Sequence, residues 1–418
     1  MKKVITITTI IYVLVSLFLF VFVNINGSTE FADYVVPHIN GKPVIIHFAI
    51  SIVYFLFLLV LFLLRGRIKF DVISCCLLIK IFLDFLTMFF TNQSIIENIA
   101  WLAISVSAFI SYFGIINSSI SIKHIKFVSF TIIVFGTFVC WQVIYTFLHC
   151  SVSYSDPLYK IHMNIPYGGT NIISSFLIPI IVLCFFFIKK RIIKWLLIAM
   201  FLGCIVLTKS RGGIILGFFT LIFLLFVYGG FNKKIRQLLI IISFVAVVLL
   251  VFNSATIKSF FEGNAQVTSS KISLDSLSSG RIANWKQMFS EFEIKYVLFG
   301  MGMKPVLVDT TGAHNLLIDM IIRLGIIGSL IYGIALLTPF LIKRTNNKKR
   351  NNYFLIMLAV IIINSMFEVC YFYYALDTVF WIYAGFAVLI KRKPYEILAT
   401  FKKKNRQTIN NKVSLTNI

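Results

Sequence analysis

The chain has 418 residues, of which 59% are hydrophobic and 13% charged, and its formal net charge at pH 7 is +24. This composition is too apolar for a soluble domain and predicts an integral membrane protein. Apolar runs of about 17 to 25 residues recur along the chain, and each is long enough to cross a hydrocarbon core of roughly 30 Å as a helix. Because the basic residues are dispersed between these runs, the positive charge does not indicate a nucleic-acid partner.

The apolar runs predict an all-α fold with about twelve transmembrane helices. Their approximate bounds are 4–24, 44–64, 70–90, 99–121, 127–148, 171–188, 195–208, 213–230, 237–252, 315–341, 353–370 and 377–390. The first run is too long for a signal peptide and no small-residue cleavage site follows it, so we interpret it as a retained span. Residues 1–394 would form a polytopic membrane domain, and residues 395–418 a basic cytoplasmic tail.

Every second junction between predicted spans is rich in lysine and arginine, and these junctions together with the tail contain most of the 39 basic residues. Positive charge is retained on the cytoplasmic side of a membrane, so this pattern places both termini in the cytoplasm. The remaining junctions are then external. They include a loop near 149–170, the short break 208–213 and the long segment 253–314.

The break at 208–213 combines cations, hydroxyls and glycines at the start of a predicted span. Lys209 and Arg211 would lie on the external side, where the charge bias gives no reason for a cation. Free amides and the helix dipole favour a phosphate at this end of a helix, and arginine can hold a phosphate by two hydrogen bonds. The alternative is that both side chains reach to the membrane interface without binding a ligand.

The long external segment contains a predicted amphipathic helix that begins at Arg281. Its apolar residues recur at helical spacing, so we expect this face to rest on the membrane surface: Trp285, Met288, Phe289 and Phe292. Arg281 is a second candidate anion ligand because it lies at a helix start. A solvated loop arginine is the alternative.

His314 directly precedes the tenth predicted span, and its imidazole suits a general base at neutral pH. A helix-capping or interface histidine is the alternative. Asp319 and Arg323 follow on the same helix, four residues apart, so they would face one another and are candidates to line a cavity. Glu368, near the outer end of the eleventh span, is a further cavity candidate.

Other features have structural interpretations. Lys80 and Asp84, four residues apart in the third span, would neutralise one another. Gly325 would allow close helix packing, and Tyr374 ends an aromatic cluster expected at the membrane interface. The sequence has no P-loop, HExxH motif or zinc spacing. We therefore expect no metal and no other cofactor, with arginine side chains holding the anion.

Four motifs, in order, resemble those of the O-antigen polymerase and O-antigen ligase superfamily of bacterial inner membranes. They are TKSRGG (208–213), SGRIANW (279–285), LFGMG (298–302) and AHNLLIDMIIRLGIIG (313–328). The resemblance covers roughly residues 200–340. It implies a GT-C-like membrane glycosyltransferase that acts at the periplasmic face on a glycan linked to undecaprenyl diphosphate. It further implies that Arg211 and Arg281 contact the diphosphate and that His314 activates the acceptor.

Two activities compete within this superfamily, and the shared motifs do not decide between them. A polymerase joins repeat units and uses lipid-linked glycan as both donor and acceptor, whereas a ligase transfers finished glycan to lipid A-core. We favour the polymerase because the Ile, Phe, Lys and Asn usage resembles that of polymerases. The non-enzymatic alternative is a transporter of lipid-linked repeats. The partners implied are the lipid bilayer, a chain-length regulator and a flippase, and no nucleic acid.

Overall fold

The computed structural model of the protein describes residues 2–22, 42–65, 68–91, 95–150, 152–154, 159–163, 165, 167–228, 281–290, 292–302, 315–343, 352–367 and 374–392. These residues are mostly helical, and their bounds are α1 (Lys2–Phe22), α2 (Lys42–Arg65), α3 (Val72–Thr87), α4 (Ile95–Asn117), α5 (Ile122–His149), α6 (Tyr159–His162), α7 (Thr170–Phe187), α8 (Arg191–Leu207), α9 (Arg211–Tyr228), α10 (Arg281–Ser290), α11 (Leu316–Leu341), α12 (Tyr353–Ser365) and α13 (Tyr374–Arg392).

Every predicted span except the ninth overlaps a described helix. Among the described residues, 7 helices are long and apolar enough to cross a membrane, namely those over 3–22, 46–64, 122–149, 170–187, 211–228, 316–341 and 374–391. The ninth span, the cytoplasmic tail and most of segment 253–314 lie outside the described residues. The structure therefore agrees with a helical membrane protein, and the number of twelve spans stays a prediction.

The helices share one large apolar core. α7 lies at its centre, in contact with α5, α8, α9 and α12. α7 is apolar except near its start, and its residues 172–184 are buried, as expected of a helix that is surrounded by other helices. In the other half of the molecule, α13 packs on α4 and α11 packs on α3.

α11 is interrupted at Gly325, where φ is 65° and ψ is −174°. Segment 297–302, which contains the LFGMG motif, docks at this interruption. Four backbone N–H···O hydrogen bonds join the two: Ile326 to Val297 (2.8 Å), Ile327 to Leu298 (3.2 Å), Met301 to Ile322 (2.8 Å) and Gly302 to Arg323 (3.0 Å). Gly325 thus accommodates the backbone of segment 297–302. This differs from the helix packing expected from the sequence.

α10 packs on the N-terminal half of α11, the part before Gly325. Four buried residues form a small core that is separate from the main one: Met288, Tyr296, Met301 and Ile322. Trp285, Phe292 and Ile318 pack against it, whereas Phe289 is 47% exposed. The expectation that this face rests on the membrane was therefore wrong for Trp285, Met288 and Phe292, because these side chains contact protein.

Buried polar side chains connect α3, α4, α11 and α13. The Lys80 ammonium lies 2.7 Å from an Asp84 oxygen, with both side chains 2% exposed, and Trp101 donates to Asp84 at 2.9 Å. On the neighbouring helices, Tyr332 donates to Asp377 at 2.6 Å. Buried charges are tolerated when they are paired in this way, so the structural interpretation of Lys80 and Asp84 is supported.

A second polar cluster joins α1, α2, α4 and α13. The two ring nitrogens of His47 lie 2.5 Å from the Tyr374 hydroxyl and 2.8 Å from the Ser16 hydroxyl. Ser107 lies 2.8 Å from the same Tyr374 hydroxyl. Tyr374 is fully buried, so its expected place in an interfacial aromatic belt was wrong. The rest of that aromatic cluster, residues 371–373, lies outside the described residues.

Candidate functional site

Four helix ends meet at one end of the bundle: the starts of α7, α9 and α11 and the end of α12. Three side-chain contacts join them: the Ser174 and Ser210 hydroxyls are 3.1 Å apart, Asn364 Nδ2 donates to Ser175 Oγ at 2.5 Å, and Asn315 Nδ2 donates to the Met366 carbonyl at 3.2 Å. Arg211 begins α9 and residue 315 precedes α11. The structure therefore places these two residues at the same end of the molecule.

The break between α8 and α9 is tightly built around Ser210. Its backbone carbonyl accepts from Ile214 at 2.8 Å, and its hydroxyl accepts from Gly213 at 3.3 Å, which makes Ser210 the N-cap of α9. A Cβ on Gly213 would lie 2.5 Å from Ser174 Cβ, so glycine is required for this approach. Ser210 is buried, and Arg211 directly after it is half-buried.

Lys209 lies in the same break and contacts two aromatic rings. Its Nζ is 4.7 Å from the ring centre of Tyr154 and 5.4 Å from that of Tyr159. The hydroxyls of these tyrosines donate to the last carbonyls of α8, at Val206 (3.0 Å) and Leu207 (2.8 Å). Sequence reasoning missed both tyrosines, because they lie in a separate loop and no spacing connects them to Lys209.

Arg281 begins α10 and is half-buried. α10 packs on the N-terminal half of α11 through Ile318 and Ile322, which lie about one and two helical turns after Asn315. Arg281 therefore lies on a helix, α10, that packs against α11, the helix that follows His314 in the chain.

His314 and Glu368 themselves lie outside the described residues, although the structure describes their chain neighbours. Asn315 is the N-cap of α11, and its Oδ1 accepts from the amides of Leu317 (3.0 Å) and Ile318 (3.3 Å). The contact between Asn315 and Met366 joins the chain just after His314 to the chain just before Glu368. The roles of His314 as a base and of Glu368 as a cavity residue stay predictions.

Asp319 and Arg323 face one another inside the bundle. Arg323 Nε lies 3.5 Å from Asp319 Oδ1, and the side chains are 3% and 5% exposed for Arg323 and Asp319, respectively. The predicted pairing is therefore present. Whether these residues line a substrate cavity stays a prediction.

Two cationic residues, Lys209 and Arg211, lie next to the buried hydroxyl of Ser210, and Arg281 lies on the attached helix. Burial raises the pKa of Tyr154 and that of Tyr159 above the usual value, so both hydroxyls remain hydrogen-bond donors at neutral pH. Over the ranges that the structure describes, no three His, Cys, Asp or Glu side chains are grouped to hold a metal ion.

A protein family described as O-Antigen ligase matches the chain over residues 195–333. The matched part covers less than half of the chain and includes Lys209, Arg211, Arg281 and His314. It confirms the resemblance to the O-antigen polymerase and ligase superfamily and supports an enzyme of the polymerase or ligase type without distinguishing the two. No curated protein matches the chain.

Proposed function

We propose that the protein is an O-antigen polymerase of the bacterial inner membrane, with both termini cytoplasmic. It joins oligosaccharide repeats linked to undecaprenyl diphosphate at the periplasmic face. The observation that supports this proposal is the position of the candidate residues within the family match, which includes the starts of α9, α10 and α11. The contacts of Ser174, Asn364 and Asn315 bring the starts of α9 and α11 to the same end of the bundle.

In the proposed reaction, an acceptor hydroxyl attacks the anomeric carbon of the donor glycan. The bond from that carbon to the diphosphate oxygen breaks, and its electron pair leaves with undecaprenyl diphosphate. Arg211 and Arg281, assisted by Lys209, stabilise the charge that develops on the diphosphate. His314 takes the proton from the acceptor hydroxyl. The donor bond supplies the energy, so no nucleotide is needed.

Asp319, Arg323 and Glu368 are proposed to line the substrate cavity near this reaction centre. A chain-length regulator and a flippase of the same pathway are the proposed protein partners.

The reaction is expected to be independent of metal ions, because the proposed diphosphate ligands are all cationic side chains. Transfer from lipid-linked donor by the purified protein in detergent should be unchanged when EDTA is added. The control is an EDTA-treated sample that is supplemented with excess magnesium. Loss of transfer in EDTA that magnesium restores would contradict the assignment of the diphosphate to arginine and lysine alone.

The lipopolysaccharide gel profile of a deletion strain tests the polymerase assignment. We expect core that carries a single repeat, because the first repeat can still be transferred when polymerisation fails. Wild-type protein should restore the ladder, and His314→Ala should not, because the acceptor hydroxyl then has no base. Bare core, with polymer accumulating on undecaprenyl diphosphate, would instead identify the protein as a ligase, the alternative that the family match leaves open.

A further inference from the structure

α5 and α8 run in the same direction and begin at the same end of the bundle. A Cβ on Gly136 would lie 3.2 Å from Phe201 Cε1, and the Cys204 thiol donates to the Cys140 carbonyl oxygen at 3.7 Å. The second of these contacts lies further along both helices than the first, which is the mark of parallel neighbours. The start of α8 therefore lies beside the start of α5, at the end opposite to the break that follows α8.

Six basic residues, the basic cluster, lie at this shared end. Lys126 and Arg191 stand the same number of residues before the contact between Gly136 and Phe201, so they are level with one another across the two helices. The cluster comes from the start of α5 and from the turn and first residues of α8: Lys123, Lys126, Lys189, Lys190, Arg191 and Lys194. All six are exposed except Lys194, which is half-buried.

The helices around the basic cluster carry no acidic residue to neutralise it. The main contacts of α5 are with α1, α7 and α8, and those of α8 are with α5, α7 and α9. None of these five helices contains an aspartate or a glutamate. The Lys194 ammonium lies over an aromatic ring instead, with Nζ 5.2 Å from the ring centre of Phe185 at the end of α7. Within these helices the positive charge is uncompensated, so the cluster is complementary to an anion.

Exposed apolar side chains continue from the basic cluster along both helices. Phe127 and Phe130 on α5, and Ile192 and Leu196 on α8, are each more than half exposed. The two phenylalanines follow Lys123 by four and seven residues, so the three share one face of α5. Ile192 and Leu196 are four residues apart and share a face of α8 in the same way. A charged end followed by an apolar face matches a molecule with an anionic headgroup and acyl chains.

We propose that the starts of α5 and α8 form a binding site for an anionic phospholipid. The headgroup phosphates lie against the basic cluster, and the acyl chains lie along the exposed apolar faces of the two helices. Six cations on two adjacent helices fit a headgroup with two phosphates, as in cardiolipin, better than one with a single phosphate. In the predicted topology this site faces the cytoplasmic leaflet. The proposal does not depend on the glycan that the protein handles.

The test titrates the purified full-length protein, in a neutral detergent, with cardiolipin or with phosphatidylcholine, and counts bound lipid by native mass spectrometry. The wild type should bind cardiolipin more tightly, because phosphatidylcholine has no net charge. Lys126→Gln/Lys190→Gln should weaken cardiolipin binding about thirtyfold, since each basic residue near an anionic headgroup contributes a factor of about five. Its affinity for phosphatidylcholine should not change, which also shows that the variant is folded.

Lys69→Gln/Lys343→Gln is the matched control. Lys69 precedes α3 and Lys343 follows α11, and both are exposed, so this variant loses the same charge away from α5 and α8. It should bind cardiolipin as the wild type does. Lys126→Arg/Lys190→Arg keeps the charge and should also bind as the wild type does. In detergent without added lipid, every variant should keep the wild-type transfer rate, because the basic cluster lies far from the break at 208–213.

Three results would each overturn the proposal: equal affinity of the wild type for the two lipids, wild-type binding of cardiolipin in Lys126→Gln/Lys190→Gln, or an equal loss in the control variant. Displacement of bound cardiolipin by an equal concentration of inorganic phosphate would also overturn it, because the apolar faces would then contribute nothing. A protein that binds cardiolipin in the expected way but transfers no glycan would contradict the proposed function and leave the lipid site standing.

Discussion

Replacing Gly325 with alanine is expected to abolish transfer activity and to lower the yield of folded protein. A Cβ at this position would overlap the Leu298 carbonyl oxygen and the Gly300 amide nitrogen. The backbone conformation is also one that is nearly restricted to glycine, so strain of about 1–3 kcal/mol adds to an overpacking cost of about 1–3 kcal/mol. The sum is a large part of a typical stability of about 5–15 kcal/mol.

The measurement is the melting temperature and the monodisperse fraction in detergent, followed by the transfer assay on whatever folds. Gly300→Ala should behave alike, because its Cβ would overlap the Arg323 carbonyl from the other side of the same junction. Gly203→Ala is the matched control, since no atom lies within 4 Å of a Cβ there. A Gly325→Ala protein with wild-type stability would contradict the docking of segment 297–302 on α11.

Arg281→Ala is expected to reduce transfer by about 10²–10³-fold, the usual consequence of removing one group that stabilises transition-state charge. In cells, lipid-linked repeats should accumulate unpolymerised at the periplasmic face, because their delivery does not require this arginine. Arg211→Ala should have the same effect. The measurement is the amount and the membrane side of lipid-linked repeats, together with the transfer rate of the purified protein.

Arg191→Ala is the matched control for both arginines. Arg191 also begins a helix, but α8 runs from it towards the break at 208–210, so it lies at the opposite end from Arg211. Its variant should transfer glycan at the wild-type rate. Repeats trapped on the cytoplasmic side in Arg281→Ala cells would favour the transporter, the class for which buried polar side chains within spans would be expected.

The positions of the 7 described helices that are long and apolar enough to cross a membrane could be predicted from the sequence, because the length of an apolar run needed to cross the hydrocarbon core is fixed. The partners of buried polar residues could not. Lys80 and Asp84 were found because they are neighbours on one helix. Asp377 was missed, because its partner Tyr332 is 45 positions away in the sequence and no local pattern connects them.

In the candidate site too, features that a local sequence pattern marks could be predicted, whereas contacts between residues far apart in the chain could not. Arg211 and Arg281 could be proposed as candidates because cations at helix starts on the predicted external side oppose the charge bias of membrane proteins. The contact between Tyr154 and Lys209 could not be predicted, since the two residues lie in separate loops and no sequence spacing connects them. The docking of segment 297–302 at Gly325 could not be predicted either. A glycine within an apolar run gives the same sequence pattern whether it packs against another helix or against a backbone segment.

The interruption of α11 also has a consequence for protein engineering. α10, segment 292–302 and the N-terminal half of α11 share a small core that is separate from the main core of the bundle. A chimaera that imports α10 and segment 292–302 from a relative must therefore also import Ile318, Ile322 and Gly325. If the segment and this part of α11 are exchanged together, the small core between them is preserved. If the segment is grafted alone, its apolar side chains would pack against a helix surface of different shape.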